Sequence, residues 1–174
     1  MMNTYSQRAI LGEEILGELE KTSFSNLKKR LTNELIEFKK ENAYINVEDN
    51  EGNGFILTIV PDTEDTLYTF YITRDFPFNA PARVLINHRN IKSYFRIHSQ
   101  KTLDELKMYY NINCLCCHSI ACNNNWTPIY KLSYFIDEFR KVKKYRRDII
   151  NRILVKKIVE KYSLEQFNII EWLI

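Results

Sequence analysis

Glycine and proline are scarce in this chain, 4 of each in 174 residues. No internal repeat or low-complexity tract is visible, which sets repetitive and compositionally biased architectures aside. No stretch approaches the length of a membrane span. The first residues lack an apolar run followed by small residues, so secretion is not expected. Charge of one sign is missing too: Lys and Arg number 25 against 22 Asp and Glu, a formal +3. That balance is too mild to announce a nucleic-acid binder through electrostatics. What is left is a globular protein expected in a reducing compartment. With 45% hydrophobic residues, the length suits one sizeable core with appendages rather than two domains.

Cysteine is also rare, but its four copies all fall between Cys114 and Cys122. They stand in Cys-Leu-Cys-Cys-His-Ser-Ile-Ala-Cys, which runs into Asn123-Asn124-Asn125-Trp126-Thr127-Pro128. In a reducing compartment, clustered thiols more often bind metal or do catalysis than form disulfides. Cys114 and Cys117 make a Cys-x-x-Cys pair, and Cys122 with His88, His98 or His118 would complete tetrahedral zinc. A typical structural zinc site uses two separated pairs, whereas here one pair exists and the other ligands are crowded or distant. Neither a metal nor another cofactor is therefore expected. Taken singly, Cys114, Cys116 and Cys122 read as small packed thiols. A thioredoxin-like role is weaker still, because no helix follows the pair at once in a βαβ setting.

Periodicity divides the chain into three stretches: a helical extension over 1–24, a core over 25–142 and a helical extension over 143–174. Ile10, Leu11, Ile15, Leu16 and Leu19 form a helical stripe between Ser6 and Lys21. Ser25 caps a second helix whose apolar face is Leu27, Leu31, Leu35 and Phe38. From Ala43 the period changes to two. Residues 44–47, 55–60, 67–72 and 83–87 read as strands, joined by Asp49-Asn50-Glu51-Gly52-Asn53-Gly54 and by Pro61-Asp62-Thr63-Glu64-Asp65. The expected fold class is α+β: a four-stranded antiparallel meander packed on helices, with extra helices at both ends. Phe76-Pro77-Phe78-Asn79-Ala80-Pro81 fixes an extended corner before the last strand. The stretch 88–113 is irregular apart from a short helix capped by Thr102. Helical spacing returns with Leu132, Phe135, Ile136 and Phe139, then with Ile149, Ile150, Ile153, Leu154, Ile158 and Val159. A final piece starts at Ser163, which makes a capping-box pattern with Gln166. The basic run Lys141, Lys143, Lys144, Arg146 and Arg147 reads as a solvated helix face.

Two motifs, in this order and on these elements, carry a family resemblance. Phe76-Pro77-Phe78-Asn79-Ala80-Pro81-Ala82-Arg83-Val84 resembles the Tyr-Pro-Phe-x-x-Pro-x-Val segment of ubiquitin-conjugating enzymes. Cys117-His118-Ser119-Ile120 followed by Trp126-Thr127-Pro128 resembles their Cys-Leu-Ser-Ile and Trp-Ser-Pro. The similarity covers about Ser25 to Val142. It implies that Cys117 carries ubiquitin or a similar modifier as a thioester, since only Cys117 puts Ser119-Ile120 in the family's register. It also implies that Lys28 and Lys29 meet the activating enzyme, and that Phe78, Thr127 and Pro128 dock a ubiquitin ligase. The family's His-Pro-Asn motif is absent. Asn90, in His88-Arg89-Asn90-Ile91, is the nearest counterpart for the oxyanion-supporting amide, with Asn113 and 123–125 as other amide sources. Without that motif the alternative is a catalytically silent scaffold or virus structural protein; Cys114, Cys116 and Cys122, which have no counterpart in the family pattern, give a second alternative, a zinc-stabilised interaction module. The richness in Ile, Asn, Lys and Tyr is a bias that AT-rich codons produce in some parasites and large DNA viruses. With a viral source, the host cytoplasm or nucleus, or the virion, is the expected location.

Overall fold

A computed structural model describes residues 25–97, 99–117, 119–122 and 125–162. The helix expected over Ser6–Lys21, the capping box at Ser163, and His98, His118, Asn123 and Asn124 lie outside the described residues. The architecture is mixed α+β. Helix α1 spans Ser25–Lys40, and its Leu27, Leu31, Leu35 and Phe38 are all buried. Their spacing of four, four and three residues places them on one stripe, so folding this helix against the sheet removes four large side chains from water. Burial of each contributes roughly 1.5–3 kcal/mol before entropy is counted.

The sheet is an antiparallel meander, β1 Tyr44–Asp49, β2 Gly54–Val60, β3 Tyr68–Thr73 and β4 Arg83–Ile86. It gains a fifth, two-residue strand, β5 Arg89–Asn90, beside β4. Register aligns two core-facing rows across the strands: Ile45, Ile59, Tyr68 and Ile86, then Val47, Leu57, Phe70 and Val84. The fifth strand corrects the expected four, and the strand expected to reach Asn87 stops at Ile86. Asn87 and His88 both take positive φ, 46° and 65°, which makes the two-residue hairpin whose twist suits flanking strands. Gly54 is obligatory at its turn: φ is +136°, and a Cβ there would lie 1.9 Å from the Ile72 carbonyl oxygen.

Beyond the sheet come α2 Ile91–Tyr94, α3 Gln100–Tyr110 and α4 Ser133–Tyr162. Helix α3 starts two residues before the expected Thr102 cap, with Ser99 at the cap position, and closes on Asn111 at φ 54°. The last helix runs unbroken through the boundary drawn after Val142. Leu132, just before it, and Phe135, Ile136 and Phe139 of its first turns enter the sheet core. Phe135 meets Phe70 and Phe139 meets Tyr68 edge-on, each at 6.0 Å between ring centres. Farther along, Arg146 donates to the carbonyls of Tyr94 and Arg96, Tyr110 donates to Asp148 at 3.0 Å, and Lys156 pairs with Glu105 at 2.6 Å. One helix thus holds the sheet and the α2–α3 region together. No helix among the described residues is long and apolar enough to cross a membrane.

Candidate functional site

The proline corner and the Trp-Thr-Pro segment, 49 residues apart in sequence, meet through one side chain. The Trp126 indole N–H donates to the Pro77 carbonyl oxygen at 2.9 Å, and the ring packs on Phe76, Tyr130 and Phe135 at 5.9, 6.1 and 5.7 Å. An indole with an apolar body and one polar edge suits this place, where the loop is anchored on the core and its donor still finds a partner. The Phe76–Pro77 peptide is cis, and Phe78 projects from the corner at 72% exposure. Thr127, Pro128 and Ile129 are exposed beside this anchor.

Helix α1 supplies the third side. Arg30 donates to the Tyr130 carbonyl at 2.6 Å and pairs with Glu34 at 2.9 Å. The Leu132 N–H donates to Glu34 at 3.0 Å, and Lys131 pairs with Glu37. Glu34 is almost wholly buried. Desolvation raises its carboxyl above the ordinary range, against the lowering effects of Arg30 and the Leu132 amide. Lys28, half-buried, and Lys29, exposed, lie on this same helix.

The cysteines sit between α3 and the Trp126 anchor on successive turns, shown by Ser119 N–H to Cys116 carbonyl at 3.2 Å and Cys122 N–H to Ser119 carbonyl at 3.0 Å. Cys116 and Cys117 are exposed, Cys114 and Cys122 half-buried, and all four are free thiols. The loop is clamped from two directions. Asn125 Nδ2 donates to the Cys117 carbonyl at 2.7 Å and the Ser119 carbonyl at 3.0 Å. From α4, Glu138 accepts from the Ser119 hydroxyl at 2.6 Å and the Ile120 N–H at 2.9 Å, while Ser119 Oγ accepts from Ala121 N–H at 2.9 Å. Burial lifts the Glu138 carboxyl above its usual range, although both hydrogen bonds favour the anion.

Three sulfurs converge on this loop. Cys114, Cys116 and Cys117 place their Sγ atoms within 4.8 Å of one another. Cys114 to Cys116 is 2.7 Å and Cys116 to Cys117 is 3.9 Å. The hydrogen bond with Cys116 pulls Cys114 down to about 7 and pushes Cys116 up to about 12. The same cluster, through Cys114 first, raises Cys117 above the ordinary thiol range. Hydrogen bonds from its neighbours thus leave the inner thiol, Cys114, the most acidic of the three.

Asn90 lies on β5 as the cap of α2, its Oδ1 accepting from Lys92 N–H at 2.9 Å. It lines a small cavity with Ala80, Pro81, Ile120 and Ala121, so it borders the segment just beyond Cys117. The sequence offered Asn125 only as one of several amide sources, and it gave no sign of Glu138, which is one charged residue among many on a long helix. The exposed Ile129 next to Pro128 was likewise unmarked. No family model, curated protein or solved structure matches the chain.

Proposed function

We propose that this chain is a ubiquitin-conjugating or ubiquitin-like-conjugating protein that carries its modifier as a thioester on Cys117. The observation behind this reading is an exposed Cys117 on a loop whose carbonyls are held by the Asn125 amide and whose Trp126 root is bonded to the proline corner. The order of α1, meander, double-proline corner, cysteine loop, Trp-Thr-Pro and helix supports a ubiquitin-conjugating arrangement of the α+β fold. In the reaction, the Cys117 thiolate attacks the thioester carbonyl of modifier held by the activating enzyme. A new S–C bond forms and the enzyme's own thiolate leaves. An acceptor lysine amine then attacks the same carbonyl, the amide C–N bond forms, Cys117 leaves as thiolate and the amine proton passes to solvent or a base.

The neighbouring Cys114 raises Cys117 above the ordinary thiol range, and the attack proceeds through its thiolate. Lys28 and Lys29 face that enzyme, and Phe78, Thr127 and Pro128 form the ligase side, with no cofactor needed. Oxyanion support falls to Asn90 or to the clamped loop. One observation favours a catalytically silent scaffold as the second reading: the Asn90 side chain is fixed as the cap of α2, its Oδ1 accepting from Lys92 N–H, in a segment without the family's His-Pro-Asn.

Incubation with activating enzyme, ATP and ubiquitin or a related modifier, read on non-reducing gels, separates the two. The expected product is a thiol-sensitive adduct that disappears in Cys117→Ala and survives Cys122→Ala. An adduct that vanishes in Cys116→Ala and persists in Cys117→Ala would move the nucleophile by one residue. No adduct with any modifier favours the scaffold.

A further inference from the structure

The three-sulfur cluster offers more than one nucleophile needs. A thioester carrier uses a single thiol, yet Cys114 and Cys116 stand in contact with each other and Cys116 stands 3.9 Å from Cys117. In tetrahedral zinc–thiolate geometry, Zn–S bonds of about 2.3 Å put two sulfurs about 3.8 Å apart. The Cys116–Cys117 spacing already has that value. The turn at 115–117 is what permits adjacent residues to point their sulfurs to one side. Cys114 and Cys116, at 2.7 Å, are closer than two metal-bound sulfurs and farther than the roughly 2.05 Å of a disulfide. Binding a metal requires side-chain rotation that widens that pair by about 1.1 Å to a tetrahedral edge. The backbone beneath is already held by Asn125 and Glu138, so the ligands are gathered before a metal arrives.

We propose that Cys114, Cys116 and Cys117 bind one zinc ion through three thiolates, with the fourth coordination position taken by water. Each thiol proton passes to solvent as its S–Zn bond forms. Two of the three ligands are exposed, so the ion exchanges with solution and is not a folding element. The proposal does not rest on the thioester reading. Where both hold, zinc and modifier compete for Cys117, and a metal-loaded chain is shut to transfer until a chelator or a competing thiol frees it.

The test uses the full chain, reduced and stripped of metal, titrated with Co(II) and then with Zn(II). The expected result is about one Co(II) per chain, with the thiolate-to-cobalt charge-transfer band and visible d–d bands of a tetrahedral sulfur-rich site, both bleached by equimolar zinc. Cys122→Ser should keep these bands. The Cys114→Ser/Cys116→Ser double variant, checked for folding by circular dichroism, should bind roughly 100-fold more weakly or worse. Absence of the charge-transfer band in the wild type overturns the site. So does binding undiminished in the double variant, and loss of the bands in Cys122→Ser overturns the three-ligand assignment. Loading of modifier by metal-free protein is measured separately, so either proposal can fail while the other stands.

Discussion

Trp126 donates its indole hydrogen to the carbonyl of Pro77 at 2.9 Å, and through that bond the loop after the cysteines is fastened to the corner that ends the meander. The two segments therefore lie side by side, with Phe78 projecting from the corner. Replacing Trp126 separates packing from the hydrogen bond. Trp126→Ala should destabilise the protein by about 3 kcal/mol, as the cavity left by a half-buried indole cannot close. Trp126→Phe keeps most of the ring contacts and loses the donor, leaving the Pro77 carbonyl without its indole partner. It should cost about 1 kcal/mol. Urea unfolding of both variants checks the ratio.

Asn125 and Asn90 are two amides with different work: one holds the Cys117 and Ser119 carbonyls, the other borders Ile120 and Ala121 just beyond that cysteine. Asn125→Ala removes two hydrogen bonds to loop carbonyls and should cost about 1–2 kcal/mol, with slower discharge of a Cys117 thioester to free lysine. Asn90→Ala removes the cap of a four-residue helix and should cost about 1 kcal/mol. If Asn90 also stabilises the oxyanion, its discharge rate falls on the order of 10²-fold beyond that stability change. A discharge time course beside the unfolding curves distinguishes support of the loop from support of the oxyanion.

Glu138 gives the cysteine loop a pH signature. Its folded carboxyl titrates above the unfolded one because burial disfavours the anion. A raised pKa means that its stabilising contribution is complete below the unfolded value and lost as pH rises through the folded value. Wild type should therefore lose stability relative to Glu138→Gln as pH rises from about 4, the unfolded value, through the raised folded one. Paired denaturation curves across that window show it. A difference that grows in the opposite sense would mean the Ser119 and Ile120 hydrogen bonds outweigh desolvation.

Gly54→Ala should be among the most damaging small substitutions in the sheet. The added methyl would collide with the Ile72 carbonyl at a φ that L-residues rarely adopt. A loss above about 2 kcal/mol follows, from strain together with a displaced β2–β3 ladder. Calorimetric melting of this variant beside Gly52→Ala, which also has a positive φ of +74° but whose new methyl would touch only the end of the Arg74 side chain, separates the collision from the backbone strain.

The sequence was legible wherever one period ran long enough. Leu27 to Phe38 and the alternation in β2 and β3 marked their elements because a single buried face dictates each pattern. The hairpin at Asn87-His88 was hidden, since no glycine announced the positive φ values that Asn and His adopt there. The continuity of α4 was obscured by the basic residues from Lys141 to Arg147. Val142, Tyr145 and Ile149 carry the apolar stripe through that run, and no proline or glycine interrupts it. At the site, Cys117 and Asn125 were visible as types of chemistry in a row. Convergence of three sulfurs, and the reach of Glu138 from another element, depend on turn geometry that no local pattern encodes.

The long last helix is also a ruler. Thirty residues at 1.5 Å each make a rod of about 45 Å, gripping the cysteine loop at Glu138, the α2 segment at Arg146 and α3 at Lys156. A fragment cut after Val142 would keep the first grip and lose the other two, so the shortest useful piece for bench work must run to about Lys156. A reporter group beyond that point stands some eighteen residues, about 27 Å along the rod, from the Glu138 grip. A dye placed there could follow docking at Phe78 or loading at Cys117 without touching either.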